Sequence, residues 1–166
     1  MIQKKLYSTY KELQNDAINN CFAVYGDLDE YNNKFESIIF PEQNYICGLA
    51  YYNHGIDSQM LLLDNESNLL IGFEKRIIGI DYNNKKEIFE NKSISLFYEF
   101  IKTECCILAI CELDIFAYNF KCQPIWSFNF RDTIEDYNVI NGKKVSIFCS
   151  NGDNLILALE NGTVLK

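Results

Sequence analysis

Leu70-Ile71-Gly72-Phe73, Ile78-Gly79-Ile80-Asp81 and Ile88-Phe89 form a run that the chain repeats. Laid 37 residues further on, without gaps, it meets Ile107-Leu108-Ala109-Ile110, Ile115-Phe116-Ala117-Tyr118 and Ile125-Trp126. Apolar falls on apolar at most matched positions. A looser third copy runs through Val145-Ser146-Ile147-Phe148-Cys149, Leu155-Ile156-Leu157-Ala158-Leu159 and Val164-Leu165. A unit this short cannot bury its apolar face alone, so the repeat implies stacked β units. The expected fold is mainly β, with repeated hairpins in a meander, propeller-like or sandwich-like, and one or two short helices.

Turn chemistry around the repeat agrees. Asn141-Gly142, Asn151-Gly152 and Asn161-Gly162 each lie between β-rich runs, and Asn-Gly supplies the positive φ angles of type I′ hairpin turns. Asp64-Asn65-Glu66-Ser67-Asn68 and Asn83-Asn84 read as further turns. Outward from the repeat, strands are expected at Met60–Leu63, Tyr45–Tyr52, Ser37–Phe40 (extended by Pro41 behind it) and Cys21–Tyr25. One helix is expected over Tyr10 to Asn20. Thr9 and Glu12 make a capping box, and Leu6, Tyr10, Leu13 and Ala17 recur at helical spacing. A second helix is expected at Ser95 to Lys102, with Leu96, Phe97, Phe100 and Ile101 on one stripe. No Pro-, Gly- or Ser-rich linker divides the chain, so residues 1–166 are read as a single domain, with a part to residue 50 that carries the helix and a repeated part from residue 51.

Composition narrows the function. The 166 residues carry a net charge of −8 and are 48% hydrophobic. That is enough apolar material for an ordinary core, and disorder is not expected. Such a charge repels nucleic-acid phosphates and anionic lipid and favours basic partners. Met1-Ile2-Gln3-Lys4-Lys5-Leu6 leads into polar sequence instead of an apolar signal region, and no apolar stretch nears the ~20 residues of a spanning helix. The seven cysteines are odd in number and mostly sit in apolar runs, as reduced thiols do in the cytoplasm.

Catalytic signatures are missing. His54 is the only histidine, in the loop-like Tyr52-Asn53-His54-Gly55, and no serine elbow, phosphate-cradling loop or His-Glu helical pair accompanies it. The cysteines lack the paired Cys-x-x-Cys of zinc sites. Cys105 and Cys106, read as neighbours on a strand, would point to opposite faces. Carboxylates pair at Asp27/Asp29/Glu30, Glu112/Asp114 and Glu135/Asp136 without a spacing that favours glycoside hydrolysis over solvated turns. Base-stacking by the abundant aromatics would need a basic groove, whereas Lys85-Lys86 and Lys143-Lys144 are isolated turn pairs. The residues read as those of a protein that is not an enzyme and needs no cofactor or metal.

A resemblance adds a function to this. Asn53-His54-Gly55-Ile56-Asp57, Leu61-Leu62-Leu63-Asp64-Asn65, Ile71-Gly72-Phe73 and Ile78-Gly79-Ile80-Asp81 resemble a family of small bacterial all-β proteins. Ile110-Cys111-Glu112-Leu113, Ile115, Ile125-Trp126-Ser127-Phe128 and Asp132-Thr133-Ile134 continue the likeness over residues 50 to 166. Members occur as immunity proteins beside polymorphic or contact-dependent growth inhibition toxins. The resemblance implies stoichiometric neutralisation of a cognate toxin C-terminal domain, expected to be a basic nuclease, with no active site to carry over. An acidic partner gains association rate by electrostatic steering, and its anchors would be aromatics ringed by carboxylates. The expected toxin-binding residues are Asp27, Asp29 and Glu30, then Glu112, Asp114, Glu135 and Asp136, with Tyr31 or Tyr137 as anchors. The competing reading is a small carbohydrate- or ligand-binding β module with Tyr and Trp stacked on sugar faces; a hydrolase using acidic pairs is a third.

Overall fold

The computed structural model describes residues 2–27, 29–63 and 67–165. The turn residues Asp64, Asn65 and Glu66, and Leu28 between the acidic residues 27 and 29, lie outside the described residues. The chain divides into two compact units, Met1–Asp57 with Asp81–Lys86, and Ser58–Ile80 with Glu87–Lys166.

The first unit is a four-stranded sheet with one helix. Strands β1 (Gln3–Tyr7), β2 (Ala23–Tyr25), β3 (Lys34–Phe40) and β4 (Tyr45–Tyr51) lie in the order β1-β3-β4-β2. β3 runs antiparallel to both of its neighbours, whereas β2 is parallel to β4. β1 and β2 therefore run in the same direction at the two edges of the sheet, and the connection between them is a crossover that carries α1 (Tyr10–Asn20). Thr9 caps the helix as expected, the Glu12 amide donating to Thr9 Oγ1 (3.3 Å), while the Glu12 carboxylate accepts from the Ser8 amide (2.9 Å), one residue ahead of the amide a capping box uses. Cys21 in the left-handed region ends the helix, its amide reaching Ala17 O. Leu13 and Ala17 are the buried helix residues. Gly48 on β4 leaves room for Leu13: a Cβ there would lie 3.1 Å from Leu13 Cδ1 and 3.0 Å from Val24 Cγ2.

The second unit contains the repeat. β5 (Gln59–Leu63), β6 (Asn68–Phe73), β7 (Arg76–Asp81) and β8 (Lys86–Lys92) form one sheet in chain order. β9 (Phe97–Lys102), β10 (Ile107–Cys111), β11 (Asp114–Tyr118) and β12 (Pro124–Asn129) form the next, and β13 (Ile134–Ile140), β14 (Lys144–Cys149) and β15 (Asn154–Ala158) the last, with a single bridge from Leu157 to Val164. β9 follows β5 by 38 residues and β13 follows β9 by 37. Consecutive small meanders of this kind are the blades of propeller-like folds, so the expected mainly β, repeated-hairpin architecture holds.

β10 shows why the repeats are so apolar. Ile107, Ala109 and Cys111 pack with Leu63, Leu70 and Ile77 of the preceding sheet, whereas Leu108 and Ile110 pack with Val145, Ile147 and Leu157 of the following one. Side chains alternate along a strand, and here both faces are covered. All five residues are therefore buried. Small residues open space for rings: a Cβ on Gly72 would sit 2.3 Å from the Phe97 ring, and one on Gly79 2.3 Å from that of Phe89. Phe89 in turn stacks on Tyr118 (5.0 Å between centroids, 11°), whose hydroxyl accepts from Asn91 Nδ2 at 2.9 Å.

Three expectations need correction. Ser95–Lys102 is not a helix, because Phe97–Lys102 is strand β9, paired antiparallel with β10. Its Phe97, Tyr98, Phe100 and Ile101 are at least half-buried on both faces, and that removes the alternation that marks a strand. Cys105 and Cys106 do not lie back to back on a strand; a bend after Thr103 sets their sulfurs 3.9 Å apart. Of the Asn-Gly pairs, only Asn141-Gly142 has both φ angles positive (50° and 63°), as a type I′ turn requires. Gly152 and Gly162 are positive while the asparagines before them are not.

Candidate functional site

The first unit brings predicted acidic residues beside aromatic ones. Thr9 starts α1 so that Tyr10 is its first residue, and β3 carries Phe35 one position beyond its start. Their rings lie 6.2 Å apart at 57°. Asp29, Glu30 and Asn32 complete a recess of about 370 Å³ around them. The loop that bears the carboxylates is tied down. Asn32 Nδ2 donates to Asp27 O at 2.7 Å, and the Asn32 amide to Asp29 O at 3.2 Å. Asp29 Oδ1 accepts from the Tyr31 amide at 3.0 Å. At the loop's start, Gly26 has a φ of +122° and lies so close to β4 that a Cβ would meet Ala50 O at 1.8 Å, so only glycine fits. At its end the Asn33 amide donates to Tyr51 O (3.2 Å), and Asn33 Oδ1 accepts from the Asn53 amide (2.7 Å).

Asp27, Asp29 and Glu30 are all exposed, and Tyr31 is 69% exposed beside them. Half-buried aromatic walls with carboxylates at the rim suit a cationic side chain. The ring faces attract it and the carboxylates can form charge-assisted hydrogen bonds to it. Sequence reasoning gave Asp29, Glu30 and Tyr31 but not the walls. Tyr10 was placed in the apolar stripe of the helix, and Phe35 stood just ahead of the expected strand at Ser37. Nothing in the sequence says that the two rings meet.

The second unit holds the other predicted residues. The Ile134 amide donates to Glu112 O at 2.8 Å, which sets Glu112 beside the start of β13. Glu135 and Asp136 are exposed and Glu112 is half-buried. Tyr137 is half-buried as well, and its hydroxyl donates to the Glu99 carboxylate. Burial first, and then that carboxylate, pushes the Tyr137 hydroxyl pKa well above its ordinary value. Tyr98 is raised for the same first reason and then by the charge of Glu112.

Asp114 does not belong on an interaction surface. It is 1% exposed, at the start of β11, and Oδ2 accepts from Ser93 Oγ (2.6 Å) and Ser95 Oγ (2.9 Å). Asn129 Nδ2 donates to Oδ1. A buried carboxylate has to be compensated in this way. Its role is to hold the 93–95 segment against β11.

His54 is exposed and sits edge-on to Tyr52, with ring centroids 4.6 Å apart. Among the described residues, no cluster of three or more His, Cys, Asp or Glu is arranged to hold a metal ion. Nor is any helix among them long and apolar enough to cross a membrane.

Comparison with known proteins gives fold alone. The sequence matches no family model and no curated protein. Among solved structures, the chain is similar to dihydro-heme d1 dehydrogenase NirN in complex with DHE, at 7% identity and a TM-score of 0.51, covering 80% of this chain and 32% of that one. It also resembles BamB from Moraxella catarrhalis (10% identity, TM-score 0.49), covering all of this chain and 51% of that one. The WD40 beta propeller domain of Doa1 is a third (11% identity, TM-score 0.47, 81% and 48% covered). The chain thus spans about half the length of BamB and a third of NirN.

Proposed function

We propose that this chain is an immunity protein that binds a cognate toxin one-to-one and neutralises it in the cytoplasm of a producing bacterium. The toxin class is a nuclease delivered by contact-dependent growth inhibition or a related system. The observation that carries this reading is the aromatic-walled recess rimmed by Asp29 and Glu30, on a chain of net charge −8. A nuclease holds phosphates with Lys and Arg, and those side chains are what such a recess accepts. No reaction is assigned to the chain. It acts by occupancy, with its negative field steering the encounter and the rings of Tyr10, Phe35 and Tyr31 supplying desolvated contact area.

The test is a pull-down with the tagged chain from its native strain, at low and then at high salt. One basic toxin fragment recovered one-to-one under both conditions supports the proposal. Recovery of nothing from cells that contain the neighbouring toxin overturns it, and a glycan bound in a parallel screen would replace it with the carbohydrate-binding reading. Against the recovered toxin, the double variant Asp29→Lys, Glu30→Lys should associate at least about tenfold more slowly at low salt, since steering spans that range and more. Both side chains are solvent-exposed, so the variant should fold and lose no more than the hydrogen bond from the Tyr31 amide to Asp29, about 0.5–1.5 kcal/mol. Unchanged association would remove this recess from the interface.

A further inference from the structure

Cys105 and Cys106 are adjacent free thiols in the second unit, and the turn that carries them is tightly fixed. The Thr103 amide and hydroxyl both donate to Cys106 O, at 2.9 and 2.7 Å. The same hydroxyl oxygen accepts from the amides of Cys105 (3.4 Å) and Cys106 (3.1 Å). Both sulfurs are thereby brought to one side of the chain, 3.9 Å apart. Beyond them stand two carbonyls, Gly142 O at 3.7 Å from Cys105 Sγ and Leu159 O at 3.8 Å from Cys106 Sγ. Cys105 is exposed and gives access, whereas Cys106 is buried.

We propose that Cys105 and Cys106 form a two-thiolate binding site for a soft monovalent cation of the Cu(I) type. A cation at ~2.3 Å from each sulfur, an ordinary metal–thiolate length, would subtend roughly 115° across a 3.9 Å separation. That is close to the roughly 120° of a three-coordinate ion, not the near-linear geometry of a two-coordinate one, so a small exogenous ligand reaching in past the exposed Cys105 would complete the site. Thiolates select soft ions, and zinc is disfavoured because a structural zinc site takes four ligands. Among the described residues no third His, Cys, Asp or Glu joins the pair. The binding step is a ligand exchange without electron transfer: Cu(I) gains two bonds to sulfur, and the two thiol protons pass to solvent. The inference is independent of the toxin-binding reading.

The experiment is an anaerobic titration of the reduced full chain with Cu(I) in competition with bicinchoninate, followed by the ultraviolet thiolate-to-copper band. The wild type should take up one equivalent, and Cys105→Ser should lose it. Cys21→Ser, which removes the other exposed thiol, should retain it. Because residue 105 is exposed, Cys105→Ser should unfold at the wild-type temperature, and added Cu(I) should raise the unfolding temperature of the wild type and of Cys21→Ser but not that of Cys105→Ser. Uptake of the equivalent by Cys105→Ser, or failure of the wild type to compete with the chelator, would overturn the assignment.

Discussion

Replacing Asp114 with alanine should cost more than any other change among the acidic residues highlighted by the sequence, and the cost can be worked from its contacts. Two buried hydroxyls, Ser93 and Ser95, donate to one carboxylate oxygen at 2.6 and 2.9 Å. Each also accepts a backbone amide: Ser93 Oγ from Ser95 N (3.0 Å) and Ser95 Oγ from Leu113 N (2.8 Å). With the carboxylate gone, the two hydroxyls, 3.4 Å apart, can satisfy at most one of their two protons between them. A hydrogen bond to a charged group contributes about 1.5–3 kcal/mol, and an unsatisfied buried donor costs about 1–3 kcal/mol. The third donor, Asn129, is exposed and can rehydrate. Part of the loss is offset because the carboxylate's own burial is relieved, which leaves about 3 kcal/mol. With a urea m value of roughly 2 kcal/mol/M, the unfolding midpoint should fall by about 1.5 M. Asp114→Asn keeps the shape and one acceptor and should fall by about half as much. An alanine variant within about 1 kcal/mol of wild type would refute the view that this carboxylate organises the 93–95 segment.

Three further outcomes are expected. Gly72→Ala drives a methyl into the Phe97 ring, 2.3 Å away, and should destabilise by about 1–3 kcal/mol; in a denaturation cycle with Phe97→Leu the double variant should lose less than the two single losses combined. Thermal stability should hold from neutral pH down to about 5 and decline below about pH 4. The reason is that Asp16 is held low by hydrogen bonds from Lys5 and Tyr7, Asp57 by Lys34 and Asp81 by Asn84. Such depressed groups stabilise above their unfolded pKa and lose that contribution as pH falls through the folded value, so Asp16→Asn should flatten the decline. Native protein treated with iodoacetamide should take two labels by mass spectrometry, on Cys21 and Cys105, since the other five thiols are buried and burial pushes Cys47 and Cys111 up to about 12.

Residues whose partners are near in sequence were legible. Thr9 and Glu12 announced α1, and the apolar runs of β6, β7, β10 and β11 announced strands. The 37-residue shift marked the recurrence of hairpin units before any strand pairing was known. Residues whose partners are distant were not. The spacing of Leu96, Phe97, Phe100 and Ile101 fits a helical stripe as well as a strand half-buried on both sides, and only pairing with β10 decides between them. Asp114 looks like any turn carboxylate until Ser93, Ser95 and Asn129 close on it. The recess was half legible: Asp29, Glu30 and Tyr31 are local, but Tyr10 and Phe35 meet only because α1 and β3 share a unit.

Because each repeated sheet is built from consecutive strands, it can close soon after its last strand leaves the ribosome. At about 5–20 residues per second a 37-residue repeat emerges in roughly 2–7 s, whereas a hairpin forms within microseconds. In the sheets β5–β8 and β9–β12 no strand need wait for a distant partner. The first sheet behaves differently, since β1 must wait for β3, and β2 for β4. During synthesis its edges stay open longest, so a chaperone that shields unpaired strands would engage the first fifty residues.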